Sequence, residues 1–143
     1  MIVVDASIFV KLLKEEDDSD RARSFIDHML AKGEGYLSPS VVLYESLSAA
    51  LHVEVPLDTV GNLFEEFRAL GLVMEEPSQA DLKLAETIAR KRSPVGGYPT
   101  LFDSIYHAMA IQRGGMFVTA DARHVAKAGQ FGHVTLLADW KPD

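Results

Sequence analysis

Short apolar, β-branched runs alternate with amphipathic helical patterns along the whole chain. Ile2-Val3-Val4 reads as a buried strand, because the run is short, β-branched and followed at once by polar residues. A helix is expected over about residues 7–13, interrupted by the acidic stretch 15–20, and a second over about residues 21–32, closed by Gly33 and Gly35. Tyr36-Leu37-Ser38 makes a second strand. Pro39 and Ser40 open a helix over about residues 41–53, which Pro56 keeps from continuing. Asp58 or Thr59 starts the next helix, closed at Gly71, and Leu72-Val73-Met74 is a third strand. Ser78 caps a helix through Arg92, with Asp81 as the reciprocal capping-box acid. Residues 93–99, rich in Gly and Pro, form the one clear irregular loop, and Thr100 caps a helix that runs to Arg113. Residues 116–119 and 134–137 are the fourth and fifth strands, with a short helix over about residues 122–128 between them.

Strands separated by helices call for one α/β domain, residues 1–143, with a parallel sheet and helices on both faces. In such sheets functional residues gather beyond the carboxyl ends of the strands. Composition narrows the class. With no cysteine there is no disulfide framework, thiolate metal site or cysteine nucleophile. No apolar run approaches the roughly 18 residues of a membrane span, and the first residues carry no basic leader, so a cytoplasmic protein is expected. The net charge of −7 disfavours bulk electrostatic coating of nucleic acid. It is compatible with an enzyme that reaches phosphates through divalent cations held by carboxylates.

Four acids fall where such a site belongs. Asp5 follows the first strand directly and Asp121 comes two residues after Thr119 of the fourth, so both lie at the carboxyl edge of the sheet. Each would also serve as an ordinary helix cap. Glu45 shares its helix side with Val41, Val42, Ser48 and Ala49, a small and apolar seam where a carboxylate is costly unless paired or metal-bound. Asp103 is the third residue after Thr100, which alone would read as a capping box. Should the four converge, repulsion between neighbours ~5 Å apart is ~3 kcal/mol at an effective dielectric near 20. Either some are then protonated or a divalent metal occupies the centre, and all-oxygen donors select Mg²⁺ or Mn²⁺.

Residues 3–7, Glu45, Asp103-Ser104-Ile105 and residues 117–121 together resemble the PIN-domain family, and within it the small ribonucleases that act as VapC-type toxins. The resemblance spans nearly the whole chain. It implies a PIN-like three-layer sandwich with a five-stranded parallel sheet in the order 3-2-1-4-5, and Mg²⁺- or Mn²⁺-dependent cleavage of single-stranded RNA, with single-stranded or structured RNA as the partner. Carried over by position, Asp5, Glu45, Asp103 and Asp121 are the catalytic and metal-holding acids, and Asp5 and Asp103 the expected bridging ligands. Ser7 and Thr119 match positions where a hydroxyl supports the site. The resemblance also implies a cognate antitoxin and a homodimer. Ser104 stands where many relatives carry Ala, and no further acid follows Asp121, which leaves one or two metals open.

RNA contacts are expected from cations near the rim: Arg90, Lys91 and Arg92 as the dense basic cluster, with Lys11 and Lys14 as second candidates. Tyr98 offers a stacking surface, although a loop tyrosine is commonly packed locally. His107 and His124 are expected on helix surfaces without partners. Other classes make different demands. An RNA-processing nuclease without an antitoxin would carry the same acids. A phosphatase with an aspartyl nucleophile would place an acid where Ser7 stands. A receiver-like domain would need paired acids at the first strand and a Lys at the sheet edge, whereas Lys127 is expected helical turns away.

Overall fold

A computed structural model describes residues 1–143. Strand β1 (Ile2–Val4) is the centre of a five-stranded parallel sheet ordered β3-β2-β1-β4-β5, where β2 is Tyr36–Ser38, β3 Leu72–Met74, β4 Met116–Thr119 and β5 Val134–Leu136. This is the order that the sequence resemblance implies. Seven helices connect and cover it: α1 (Ala6–Leu13), α2 (Ser19–Ala31), α3 (Val41–His52), α4 (Leu57–Ala69), α5 (Gln79–Ala89), α6 (Leu101–Gln112) and α7 (Ala122–Ala128). None is long and apolar enough to cross a membrane.

Register decides where the site falls. Ile2 lies opposite Met116 and Val4 opposite Val118, so the next residue of each strand, Asp5 and Thr119, emerge side by side. The close start of this pairing depends on a glycine. Met116 N–H donates to the Met1 carbonyl at 3.1 Å, and a Cβ on Gly115 would stand 2.2 Å from that same oxygen. Val3, Val4, Phe117 and Val118 are fully or almost fully buried in the main core, and Ile8 and Phe9 of α1 pack into it. Phe9 meets Phe64 and Phe67 of α4 with ring centroids 4.9 and 5.2 Å apart, so the apolar stripe of α4 is core. A second, smaller cluster of Ala85, Ile88, Ala108 and Ala128 joins α5, α6 and α7. Burial of each such large side chain contributes about 1.5–3 kcal/mol, so both ends of the sheet edge rest on packed helices.

Two helix ends depart furthest from the sequence expectation. Helix α5 stops at Ala89, short of Arg92, as Pro94 disfavours helical backbone in the residue before it and the chain turns early. Helix α2 starts at Ser19, ahead of Arg21, because the buried Ser19 hydroxyl accepts from Glu16 N–H at 2.8 Å and closes the preceding turn.

Candidate active site

Asp5 leaves β1 as the N-cap of α1, accepting from the backbone N–H of Ser7 at 3.1 Å. Its cap role and its site role coincide. The Ser7 hydroxyl donates to the same oxygen, and the Thr119 hydroxyl donates to the other at 2.6 Å. Ser7 Oγ in turn accepts from Ala120 N–H at 2.8 Å, and Thr119 Oγ1 from Asp121 N–H at 3.0 Å. The ends of β1 and β4 are thus laced together around one carboxylate. Asp5 is only 4% exposed and has no cation beside it. Burial pushes its pKa up to about 7; the two hydroxyls hold it down in part, and Asp103 and Glu45 add repulsion.

Asp121 caps α7 by accepting from Arg123 N–H at 2.9 Å on one oxygen, and the residue lines the cleft. Glu45 projects from α3 and is half-buried; the Tyr106 phenol of α6 donates to it at 2.5 Å. Burial raises its pKa, opposed by that hydrogen bond and reinforced by Asp103. Asp103 is also raised, chiefly by burial, with the Thr100 hydroxyl opposing and Asp121 adding to it. The capping-box expectation for Asp103 does not hold. Thr100 Oγ1 caps no backbone group and donates to Asp103 Oδ2 at 2.8 Å, so one carboxylate oxygen is oriented and the other left free. The neighbouring Ser104 is buried, with its hydroxyl on the Thr100 carbonyl at 2.7 Å.

The four acids, with Ser7, Thr100, Phe102 and Arg123, line one open cleft of about 350 Å³ at the carboxyl edge of the sheet. Beyond Glu45 the depression continues along α1 to Lys11. Lys11 is largely covered and paired with Glu16 at 2.9 Å and Asp18 at 2.8 Å. The cations that border the acids are thus only partly those expected: Lys11 shares a wall with Glu45 and Asp121 but is tied to Glu16 and Asp18. Arg90, Lys91 and Arg92 follow the end of α5 and do not line the cleft, and Arg90 pairs with Glu86 at 2.9 Å. Instead Arg123 lines the cleft, and Lys127 lines the pocket that adjoins Asp103 and Asp121. The signal for them was their spacing after Asp121, one helical turn apart on the helix that this acid caps.

The histidines also differ. His107 and His124 are buried, not at the surface, and each is the other's partner: His107 Nδ1 lies 3.0 Å from His124 Nε2, and His107 Nε2 2.6 Å from the Gly132 carbonyl. One turn after Asp103 and three residues after Asp121, they fill the α6–α7 seam, where Phe117 covers both rings. Tyr98 is exposed in its loop.

No three acidic or histidine side chains stand close enough to enclose a metal ion as they are placed. The donor set nevertheless fits a hard divalent cation. The four groups are carboxylates, and the most buried of them lacks any positive partner, a state that a bound cation would relieve.

A five-stranded parallel sheet with this order and four acids at its carboxyl edge defines an α/β fold of PIN type. The PIN-domain family model matches residues 2–130, and the chain belongs to that family. In fold it is similar to the crystal structure of Mycobacterium tuberculosis VapC20, a sarcin–ricin loop cleaving toxin. The TM-score is 0.66 at 16% identity, covering 94% of this chain and 97% of that one. By sequence, no curated protein matches the chain.

Proposed function

We propose that this protein is a divalent-metal-dependent endoribonuclease that cleaves single-stranded RNA, and that it acts as the toxin of a toxin–antitoxin pair. One observation carries the reading: Asp5, Glu45, Asp103 and Asp121, from four separate segments, face one cleft, with Asp5 buried and uncompensated. Family membership and the likeness in fold to a sarcin–ricin loop cleaving toxin support the same class. Asp5 and Asp103 would hold Mg²⁺ or Mn²⁺, with Glu45 and Asp121 ligating or orienting its waters. Bound there, the ion supplies water activation and neutralises charge on the phosphate.

The chain's own residues do the rest. Ser7 and Thr119 fix the Asp5 carboxylate so that it offers its remaining lone pairs to the cleft. Tyr106 keeps the Glu45 carboxylate turned toward α6, and Thr100 orients Asp103. Preset ligands of this kind lose little freedom when a cation and a phosphate arrive. The residue two after Asp5 is Ser7, bonded to it, so the phosphatase reading has no second acid at that point.

The test is cleavage of a mixed single-stranded RNA pool with Mg²⁺ or Mn²⁺. Wild-type protein should cut, EDTA should stop it, and Asp5→Asn or Asp103→Asn should lower the rate by about a hundredfold or more. Cleavage that persists in both variants would sink this assignment. Induced expression that arrests growth, relieved by the product of an adjacent gene, separates a toxin from an RNA-processing enzyme. The antitoxin, a homodimer and a cytoplasmic location are part of the same proposal.

A further inference from the structure

The cleft passes into a smaller pocket of about 110 Å³ with no hydrophobic residue in its wall. Thr100, Asp103, Asp121 and Arg123 border both spaces, and His124 and Lys127 complete the smaller one. Its cations are the available ones. Lys11 is held by two carboxylates, whereas Arg123 is 86% exposed and makes only a 3.4 Å side-chain contact to Asp121. Lys127 Nζ has a single contact, to the Tyr98 carbonyl at 3.3 Å.

The glycine-rich loop explains how Lys127 comes to be there. Gly96 and Gly97 have φ values of 92° and 71°, in the left-handed region, and Ser93 N–H donates to the Gly97 carbonyl at 2.8 Å. The loop so closed presents the Tyr98 carbonyl to Lys127 and sets Pro99 and Thr100 in the pocket wall. His124 closes the back of the pocket as a buried, neutral wall: its Nε2–H donates to His107 Nδ1, whose Nε2 donates to the Gly132 carbonyl.

We infer that this pocket is a backbone-phosphate subsite, in which Lys127 and Arg123 receive the phosphate next to the one cut in the main cleft. The inference rests on the nuclease reading and specifies how its substrate is gripped. Asp103 and Asp121 would repel a phosphate while both are unneutralised, so the subsite fills together with the divalent cation.

The experiment follows binding of a short labelled single-stranded RNA with Ca²⁺ across a salt series, beside an NMR titration of the Mg²⁺-containing protein with inorganic phosphate. Lys127→Gln should weaken RNA binding roughly tenfold and reduce the log–log salt slope by about 0.7, the value for one single-strand phosphate contact. Arg123→Gln should act in the same direction, Lys127→Arg should retain binding, and Lys83→Gln, on an exposed face of α5 away from both spaces, should change nothing. Thermal melts of each variant exclude misfolding. Phosphate should shift amide signals of residues 96–98 and of α7. RNA binding with an unchanged slope in Lys127→Gln overturns the subsite and leaves the nuclease reading standing. If wild-type protein binds no RNA but phosphate still perturbs α7, the nuclease reading falls and the anion pocket remains. No response in either arm removes both.

Discussion

Two aspartates in this molecule are almost equally buried and have opposite fates. Asp81, 1% exposed, closes the capping box of α5 with Ser78 and meets Arg113 of α6 in a two-pronged pair at 3.0 and 3.1 Å. Asp5, 4% exposed, meets hydroxyls and no cation. Burial pushes both pKa values up. For Asp81 the Arg113 and Ser78 contacts more than offset it and the result is below the ordinary value, while Asp5 stays high. Paired burial holds two helices together; unpaired burial leaves a carboxylate poised for a charge that the fold does not supply. Burial alone would not tell the two apart. The identity of the partner does.

The largest effect is expected where the pair is broken. Arg113→Met leaves Asp81 buried without its cation and should cost about 3 kcal/mol in urea unfolding, as removal of one partner of a buried pair does. Cleavage per folded molecule should be kept. A variant that unfolds no more easily but loses cleavage would erase the distinction between the two aspartates.

The converse substitution acts at the other corner. The folded-state pKa of Asp5 lies above its unfolded value, so its favourable contribution is complete at acid pH and is lost as pH rises through about 7. Asp5→Asn should therefore stabilise the metal-free protein by about 2 kcal/mol at pH 8, less than the full shift implies because Asn cannot accept as Asp does, and by little at pH 4. Mg²⁺ should raise the melting temperature of wild type and not of the variant. The histidine pair works in the opposite sense. Burial, with the Gly132 carbonyl opposing it for His107, lowers both pKa values to about 4. Their neutral pairing is fully present above the unfolded value near 6.5 and is lost as pH falls toward 4. Between those limits the two contributions oppose each other in wild type. Melting curves of Asp5→Asn should consequently show a steeper loss in acid than wild type does, and parallel curves would contradict it.

Much of this is legible in the sequence alone. Alternating β-branched runs and helical patterns make the element order readable, since β1, β2 and β4 run straight into Asp5, Ser38 and Thr119, residues that stop one period and start another. Asp5 and Asp121 were readable because strand ends in parallel sheets converge by geometry. What resisted was anything set by packing between helices. His107 and His124 look like surface positions because each alone is an isolated polar residue on a helix; only the α6–α7 contact makes them partners. Arg90, Lys91 and Arg92 stand out in the sequence by density, yet the cations that border the acids beside Lys11 are a sparse pair: Arg123 on the helix that Asp121 caps, and Lys127, which meets the Tyr98 carbonyl of a loop turned by two glycines. Thr100 reads as a cap by its spacing, and which of its hydroxyl's roles wins is settled by the carboxylate beside it.

The smallest expected effect sharpens the comparison most. Glu45 lies between the two aspartates in character: half-buried, with no cation, but with one strong donor in the Tyr106 phenol. The Tyr106 ring is fixed independently of that bond, stacked on Phe117 with centroids 5.6 Å apart and planes 9° from parallel. Tyr106→Phe should therefore keep the ring in place and remove only the donor, at about 1 kcal/mol of stability. Without it, burial and Asp103 raise the Glu45 carboxyl further, because the one contact that lowers it is gone. The acid limb of the cleavage profile should then move to higher pH, and the rate at neutral pH should fall by about tenfold, the low end for a group that orients a metal ligand. Loss of stability with an unmoved pH limb would make Tyr106 a core residue with an incidental hydroxyl. A moved limb with little loss of stability would show that the site borrows a fixed ring from the core to hold an acid that the core itself leaves unpaired.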